Sequence, residues 1–290
     1  MKRHLILLIV LFLTVPAWGA GKQRAVRARL LSNVSTVRNG KAFTVGVLFE
    51  ISPGRHIYWK NPGDAGLATE VKFVLPEGLK ASRLRWPVPE KFLQPGGVLG
   101  YGYKDAVLLL AEVGPPQDLK PADKVHIKAA VSWLECEKIC VPGSADLHLE
   151  IPVGEESKSP NEAIFRKWKD RLPVPANSER SPLKQRPSVA GGFRPGTGSG
   201  GFTVSLAWKK TPAAVEWMFG GAEAVQVKHA IARTRNGRTI LSLVLTKDKS
   251  SETESIELLF VSTQSDGSRK GVTLAVPLHK HENKDKPGKG

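Results

Sequence analysis

KVHIKAAVSWLECEKICVPGSADLHLEIPV, residues 124–153, is the most informative segment of this 290-residue chain. Apolar and polar side chains alternate over residues 125–133 and again over residues 147–153. Such alternation is typical of half-buried β-strands, because successive side chains of a strand point to opposite faces of its sheet. The segment therefore predicts two strands that flank the only two cysteines of the chain, Cys136 and Cys140.

The spacing of the two cysteines limits how they can be arranged. On one continuous strand their Cα atoms would lie about 13 Å apart, whereas a disulfide allows only about 4.4–6.8 Å. They can pair across one turn of helix or across a tight turn, and a hairpin with Glu137, Lys138 and Ile139 at its tip places the thiols opposite each other. A bridge that closes so short a loop stabilises a fold by only about 2 kcal/mol, so the spacing favours redox exchange over a structural disulfide. Local charges do not determine how reactive the two thiols are, because Glu135 and Glu137 would raise a thiol pKa and Lys138 would lower it.

Further strand patterns lie on both sides of this segment. Period-two alternation marks residues 43–49 and 71–75, and residues 106–113 form an almost continuous apolar run. Several short strands at this spacing are typical of a β-sandwich, which we predict for residues 20–153. Strand-like segments resume after residue 201 and predict a second, smaller β-sandwich over residues 201–277. The predicted fold class is therefore all-β.

The remaining segments connect or flank the two predicted sandwiches. Residues 154–200 are predicted to be a linker, with a short helix over residues 162–172 and a flexible part rich in Ser, Pro and Gly. Residues 278–290 are predicted to be a disordered polar tail. Residues 1–19 are typical of a cleavable signal peptide, with a basic start, a short apolar run and small residues at the exit. The apolar run rises only about 17 Å as a helix, too little for a bilayer core of about 30 Å. We therefore expect an exported mature chain without a transmembrane segment.

The charge of the chain restricts its partners. The formal net charge is +16, with 43 Lys and Arg against 27 Asp and Glu. The basic residues are spread along the chain, and no dense Lys/Arg block alternates with aromatic residues. This pattern disfavours a nucleic-acid surface, whereas attraction to an anionic membrane surface or an acidic partner stays open.

Four motifs, taken in order along the chain, resemble one known family. They are Gly54-x-His56-x-Tyr58-Trp59-x-Asn61-Pro62-Gly63-Asp64, Trp86-Pro87-x-Pro89-x-x-Phe92, Tyr101-Gly102-Tyr103 and Val131-Ser132-Trp133-x-x-Cys136-x-x-x-Cys140-x-Pro142. In these motifs the chain is similar to the N-terminal domain of the DsbD thiol:disulfide interchange proteins. It is nearer to the branch associated with suppression of copper sensitivity, whose second sandwich the C-terminal half resembles more loosely.

The resemblance implies an immunoglobulin-like domain whose cysteine pair cycles between dithiol and disulfide. It implies that Cys140 is the exchanging cysteine, which forms mixed disulfides, and that Cys136 is the resolving one. It further implies an aromatic cap loop that shields the pair and contains Tyr101 and Tyr103. The motif loop expected near the site contributes His56, Tyr58, Trp59, Asn61 and Asp64. No cofactor is implied.

The function that the resemblance implies is a periplasmic relay of reducing equivalents. The donor would be a membrane-embedded electron-transfer protein, and the recipients would be thioredoxin-like or disulfide-isomerase-like proteins. Cytochrome c biogenesis and copper tolerance are the processes associated with such relays. Two features depart from the family. First, three residues lie between the two cysteines, whereas five lie between them in the best-known family members. Second, the chain has neither the membrane-embedded electron carrier nor the thioredoxin-like domain of full-length members. A separate membrane partner is therefore expected.

Two alternatives from other functional classes stay open. Cys136 and Cys140 can hold Cu(I), which two thiolates suit better than Zn²⁺, and His56 can join them if folding brings it near. Alternatively, the protein is a non-catalytic β-sandwich adaptor whose disulfide is structural.

Overall fold

The computed structural model describes residues 25–114, 118–120, 123–194, 196–222, 224–248 and 250–278. These residues form four β-sheets around two hydrophobic cores, with one short α-helix. The predicted all-β fold class is confirmed. The predicted signal peptide, residues 1–19, and residues 279–290 of the predicted tail lie outside the described residues. Within the described part of the chain, no helix is long and apolar enough to cross a membrane.

The first sandwich is formed by ten strands. They are β1 (Val26–Ser32), β2 (Phe43–Ile51), β3 (His56–Gly63), β4 (Glu70–Val74), β5 (Lys80–Ala81), β6 (Glu90–Gln94), β7 (Val98–Tyr103), β8 (Ala106–Gly114), β9 (Lys124–Cys136) and β10 (Cys140–Pro152). One sheet has the strand order β1–β2–β8–β5, and the other has the order β10–β9–β3–β7–β6, with β4 also paired to β9. All these pairs are antiparallel.

Burial along the strands shows why these residues form a sandwich. Strand β9 alternates strictly between exposed and buried residues up to Trp133, so one of its faces covers the core and the other faces solvent. Strands β2 and β8 are buried almost throughout and form the centre of the opposite sheet. Phe49 of β2 meets Trp133 of β9 edge-on, with ring centroids 5.6 Å apart, which joins the two sheets through the core.

The second sandwich is smaller and uses the C-terminal strands. They are β11 (Val174–Pro175), β12 (Ser188–Phe193), β13 (Ser199–Ala207), β14 (Ala214–Phe219), β15 (Val225–Arg235), β16 (Arg238–Lys247), β17 (Ser255–Thr263) and β18 (Arg269–Pro277). One sheet has the order β11–β18–β17–β14, and the other has the order β12–β13–β16–β15. Side chains from both sheets form one buried cluster that includes Trp208, Leu243 and Phe260.

The second sandwich begins earlier than the sequence predicts. Strands β11 and β12 both lie within residues 154–200, where the sequence predicts a linker. Strand β12 pairs with β13 at the edge of its sheet although its composition is that of a flexible segment. A Cβ atom at Gly191 would collide with the backbone of Gly201, so a glycine is needed for this close pairing.

The helix α1 (Glu162–Lys169) connects the two sandwiches and packs on the first. Its apolar face buries Phe165 and Trp168 against that core. The sequence predicts a helix up to residue 172. Its last i→i−4 bond is donated by Asp170, and the N–H groups of Arg171 and Leu172 instead bond the carbonyls three residues back, so the chain tightens into a turn before Pro173.

The two sandwiches meet along a seam. Met218, Leu259 and Val261 of the second sandwich are buried in the cluster that forms the core of the first. At the same seam Lys60 Nζ lies 2.6 Å from Glu257 Oε1, with both side chains partly exposed. Strand β3, which carries Lys60, is therefore held by both sandwiches.

Candidate redox site

The two cysteines lie at the tip of the long hairpin formed by β9 and β10. Cys136 is the last residue of β9 and Cys140 is the first of β10. The antiparallel register pairs them directly, their Cα atoms lie 4.1 Å apart, and a disulfide joins their sulfur atoms. Glu137, Lys138 and Ile139 form the exposed tip between them. The hairpin arrangement is thus the one that brings the thiols together.

The two halves of the disulfide differ in their access to solvent. Cys136 is only 2% exposed, whereas Cys140 belongs to the exposed surface. Two apolar neighbours of Cys140 are also exposed, Ile139 to 76% and Val141 to 45%. An incoming thiol can therefore reach the sulfur of Cys140, while the protein covers that of Cys136.

Side chains of strand β3 line the buried end of the disulfide. His56 pairs with Cys136 across the ladder, and Tyr58 lies two residues further on, on the same face of the strand. The Tyr58 hydroxyl lies 3.3 Å from Cys136 Sγ and 3.3 Å from Gln94 Oε1. Because a phenol has one proton, Tyr58 donates to one of these acceptors at a time. A donor is therefore in place beside the buried sulfur.

Burial favours the neutral forms of both titratable side chains here. It raises the pKa of Tyr58, and the hydrogen bond to Gln94 opposes this only in part. It lowers the pKa of His56, and the charge of Lys104 lowers it further. At neutral pH the two side chains of β3 beside the buried sulfur, His56 and Tyr58, are thus uncharged.

Two residues that the sequence analysis does not assign to the site complete its cover. The Phe92 ring of β6 lies 4.4 Å from the His56 ring and 6.4 Å from the Tyr58 ring, measured between centroids. Phe92 is partly exposed, so it separates these two side chains from solvent. Gln94 follows two residues later and holds the Tyr58 hydroxyl. Phe92 is the last residue of a family motif and Gln94 follows it at period two, and this spacing is the signal that could have assigned both.

Tyr101 and Tyr103 lie on strand β7 and not in the predicted loop. Both are buried. Tyr103 donates its hydroxyl to the carbonyl of Pro87 at 2.8 Å, and Tyr101 packs edge-on against Trp59. Burial raises the pKa of Tyr101 to about 12. In the described part of the chain neither tyrosine has a hydrogen bond or ring contact with the disulfide. Tyr58 makes that contact, and a shielding role for Tyr101 and Tyr103 stays a prediction.

The rest of the motif loop fixes strand β3 in place. Trp59 is buried in the core. Asn61 Nδ2 donates to the carbonyl of Phe219 in the second sandwich at 2.7 Å. Asp64 Oδ2 accepts a hydrogen bond from the Leu99 backbone N–H at 3.0 Å. Only the first part of the motif, His56 and Tyr58, therefore reaches the disulfide.

An arginine offsets the carboxylates that flank Cys136. Arg55 nitrogens lie 3.8 Å from a Glu135 oxygen and 3.4 Å from a Glu137 oxygen. The carboxylates alone would disfavour a thiolate, and the guanidinium weakens that repulsion. The Glu137 side chain is largely exposed, so solvent and salt keep this effect small.

The site gives little support to metal binding. His56 does lie beside Cys136, but its ring packs between Tyr58 and Phe92. Among the residues that the structure describes, no group of three or more His, Cys, Asp or Glu is placed to hold a metal ion. The described residues thus add no third ligand to the cysteine pair, and the Cu(I) alternative, which needs only the two thiolates, stays a hypothesis.

Replacing Tyr58 by phenylalanine tests the hydrogen bond to the buried sulfur. A hydrogen bond to a charged group contributes about 1.5–3 kcal/mol, so we expect the pKa of the Cys136 thiol in Tyr58→Phe to rise by about one to two units. Thiolate absorbance in a Cys140→Ala background measures this ionisation for Cys136 alone. The control Tyr103→Phe removes a hydroxyl bonded to Pro87 and should leave the titration unchanged. An equal effect of both substitutions would contradict a hydrogen bond from Tyr58 to the Cys136 thiolate.

A β-sandwich that presents a disulfide at a hairpin tip, with one cysteine exposed and the other buried, is suited to thiol–disulfide interchange. The family comparison agrees, because residues 24–152 match the family described as thiol:disulfide interchange protein DsbD, N-terminal. This segment of the chain is therefore a DsbD N-terminal-like domain, as its motifs predict.

One solved structure has the same fold over most of the chain. The chain is similar to the N-terminal periplasmic domain of ScsB from Proteus mirabilis, with a TM-score of 0.61 and 14% identity, over 89% of this chain and 96% of that chain. It is also similar to the reduced DsbD N-terminal domain from Neisseria meningitidis, with a TM-score of 0.26 and 13% identity, over 45% of this chain and 90% of that chain. The ScsB match extends over both sandwiches and agrees at the level of the fold with the expected branch. No curated protein matches the chain in sequence.

Proposed function

We propose that the protein passes reducing equivalents through Cys136 and Cys140, from a membrane-embedded electron-transfer protein to periplasmic thioredoxin-like or disulfide-isomerase-like proteins. The observation that carries the proposal is the unequal exposure of the two bonded cysteines. The family of residues 24–152 supports thiol–disulfide chemistry, and the periplasmic origin of the ScsB domain supports the location. On this proposal the protein acts as a protein-disulfide reductase component.

The pair is reduced by attack on its exposed half. A thiolate of the donor attacks Cys140 Sγ, the disulfide breaks, and its electron pair leaves with the sulfur of Cys136. The Tyr58 hydroxyl, 3.3 Å away, donates a hydrogen bond to the thiolate that forms there. The second thiol of the donor then attacks the donor sulfur of the mixed disulfide and releases Cys140. The donor ends as a disulfide, and the pair has gained two electrons and two protons.

Delivery to a client runs in the opposite sense. The Cys140 thiolate attacks one sulfur of the client disulfide, and the other client sulfur leaves as a thiolate. Cys136 then attacks Cys140 Sγ, re-forms the internal disulfide and releases the second client thiol. The ladder keeps the two cysteine Cα atoms 4.1 Å apart, so this resolving step needs no rearrangement of the hairpin.

The position of the disulfide suits a bond that opens and closes. Its loop is so short that closing it contributes only about 2 kcal/mol. The large aromatic and aliphatic core of the first sandwich does not depend on it. Under the adaptor alternative, in contrast, a protein that lacks the disulfide would keep its function.

Capture of partners through a single cysteine tests the proposal. We expect the Cys136→Ala protein, expressed in the periplasm of a bacterial host, to hold partners as mixed disulfides through Cys140. Purification without reductant, followed by release with reductant and mass spectrometry, identifies those partners. The Cys136→Ser/Cys140→Ser protein controls for non-covalent association. Capture only by Cys140→Ala would reverse the two roles, and capture by neither single variant would contradict the function.

A further inference from the structure

A groove rich in lysine and arginine follows the seam between the two sandwiches. It consists of three adjoining cavities of about 490, 430 and 580 Å³. Arg171 and Arg269 line both the first and the second cavity, and Arg180 and Lys270 line both the second and the third. The shared walls make one continuous trough, named here the basic groove.

Cationic side chains outnumber carboxylates in every part of the basic groove. The first cavity has four cations against two carboxylates, the second has six against one, and the third has four against one. With shared residues counted once, ten cations face four carboxylates. These cations come from both sandwiches and from helix α1, as shown by Arg85, Lys167 and Lys270. The excess positive charge is therefore a product of the fold.

Most of these cations form no ion pair with a carboxylate of the residues that the structure describes. Arg269 lies 3.1 Å from Glu216, and Lys104 lies 4.0 Å from Glu90. Among the described residues, these are the ion pairs that any of the ten cations makes. Like charges that converge on a concave surface raise the local positive potential and attract an anionic ligand.

We propose that the basic groove binds an acidic segment of a partner polypeptide. Arginine guanidinium groups bind carboxylates through two parallel hydrogen bonds, and the groove has four arginines along its length. A concave trough also fits an extended chain, whereas a flat bilayer surface cannot reach its floor.

The aromatic residues of the basic groove argue against nucleic acid. Tyr103 and Trp168 are each 4% exposed and Trp208 is 1% exposed, so none offers a free face on which a base can stack. The Trp168 ring is covered by the guanidinium of Arg171, 4.7 Å from its centroid. Charge without stacking favours a chain of carboxylates over a chain of bases. This binding does not require the cysteine pair.

A fluorescent decaglutamate peptide is the probe that tests the basic groove. We expect saturable binding to the purified full chain by fluorescence anisotropy at low salt, weakening as salt is added. Reversing two groove charges, in Lys169→Glu/Arg180→Glu, should weaken binding about tenfold, because repulsion replaces attraction at two contacts. The control Arg27→Glu/Lys128→Glu changes net charge equally at exposed positions outside the groove. It should weaken binding much less.

Several outcomes would overturn the proposal. These are no saturable binding of the peptide, or equal weakening by the groove and control variants. Another is groove-dependent binding of phosphatidylglycerol vesicles or of a single-stranded oligonucleotide without binding of the peptide. Circular dichroism of each variant checks its fold. If the charge reversal prevents folding, the exposed pair Lys209→Ala/Lys210→Ala replaces it, and unchanged peptide affinity in that variant counts against the groove.

Discussion

In the Cys136→Ala protein, Cys140 is expected to react with a small aromatic disulfide about a hundredfold faster than Cys136 reacts in the Cys140→Ala protein. Cys140 lies on the exposed surface, whereas Cys136 is 2% exposed beneath Tyr58 and strand β3. Attack by Cys136 requires the hairpin to open locally. An opening free energy of about 3 kcal/mol corresponds to this difference in rate.

Stopped-flow kinetics over a range of pH measures both rates and corrects each for the fraction of thiolate. The matched control is the same pair of variants in denaturant, where burial is lost and the two rates should converge. Equal rates in the folded proteins, or a faster Cys136, would contradict the assignment of Cys140 as the exchanging cysteine.

The Gly102→Ala protein is expected to lose about 3 kcal/mol in free energy of unfolding, near the upper end for overpacking. A Cβ atom at Gly102 would collide with the backbone carbonyl of Ile57, at the pairing of β7 with β3. The two strands must then separate. Strand β3 carries His56 and Tyr58, so we also expect faster reaction of Cys136 in this variant.

Gly114→Ala is the matched control for Gly102→Ala. It adds the same methyl group at the end of β8, where no heavy atom of the neighbouring described residues lies within 4 Å of the new carbon. Urea unfolding should show little change for this variant. A similar loss for both substitutions would mean that the contact between β7 and β3 is not what requires glycine at position 102.

The hairpin and its disulfide could be predicted because their signals are local. Alternation along β9 reports which face is buried, and the separation of Cys136 and Cys140 excludes a single strand. The motifs also predict the immunoglobulin-like fold, which the ScsB match supports, and the class of domain, which the family match of residues 24–152 supports.

The surroundings of Cys136 could not be predicted in the same way, because they come from separate strands. Tyr58 and Phe92 meet through the pairing of β3 with β7 and of β7 with β6. Glycine alternates with tyrosine in β7, which is typical of a loop by composition, yet Gly102 is there because two backbones approach closely. The early start of the second sandwich could not be predicted either. Strand β12 is an edge strand rich in glycine, so its composition is typical of a loop.

The reduction potential of the cysteine pair tests the central claim most directly. Equilibration of the purified protein with defined ratios of reduced and oxidised glutathione, followed by quantification of free thiols, gives this potential. A pair that exchanges should lie within about −120 to −270 mV, the range of known thiol–disulfide exchange proteins. A potential below about −300 mV would show a bond that the glutathione couple cannot open, and would contradict a cycling role for Cys136 and Cys140.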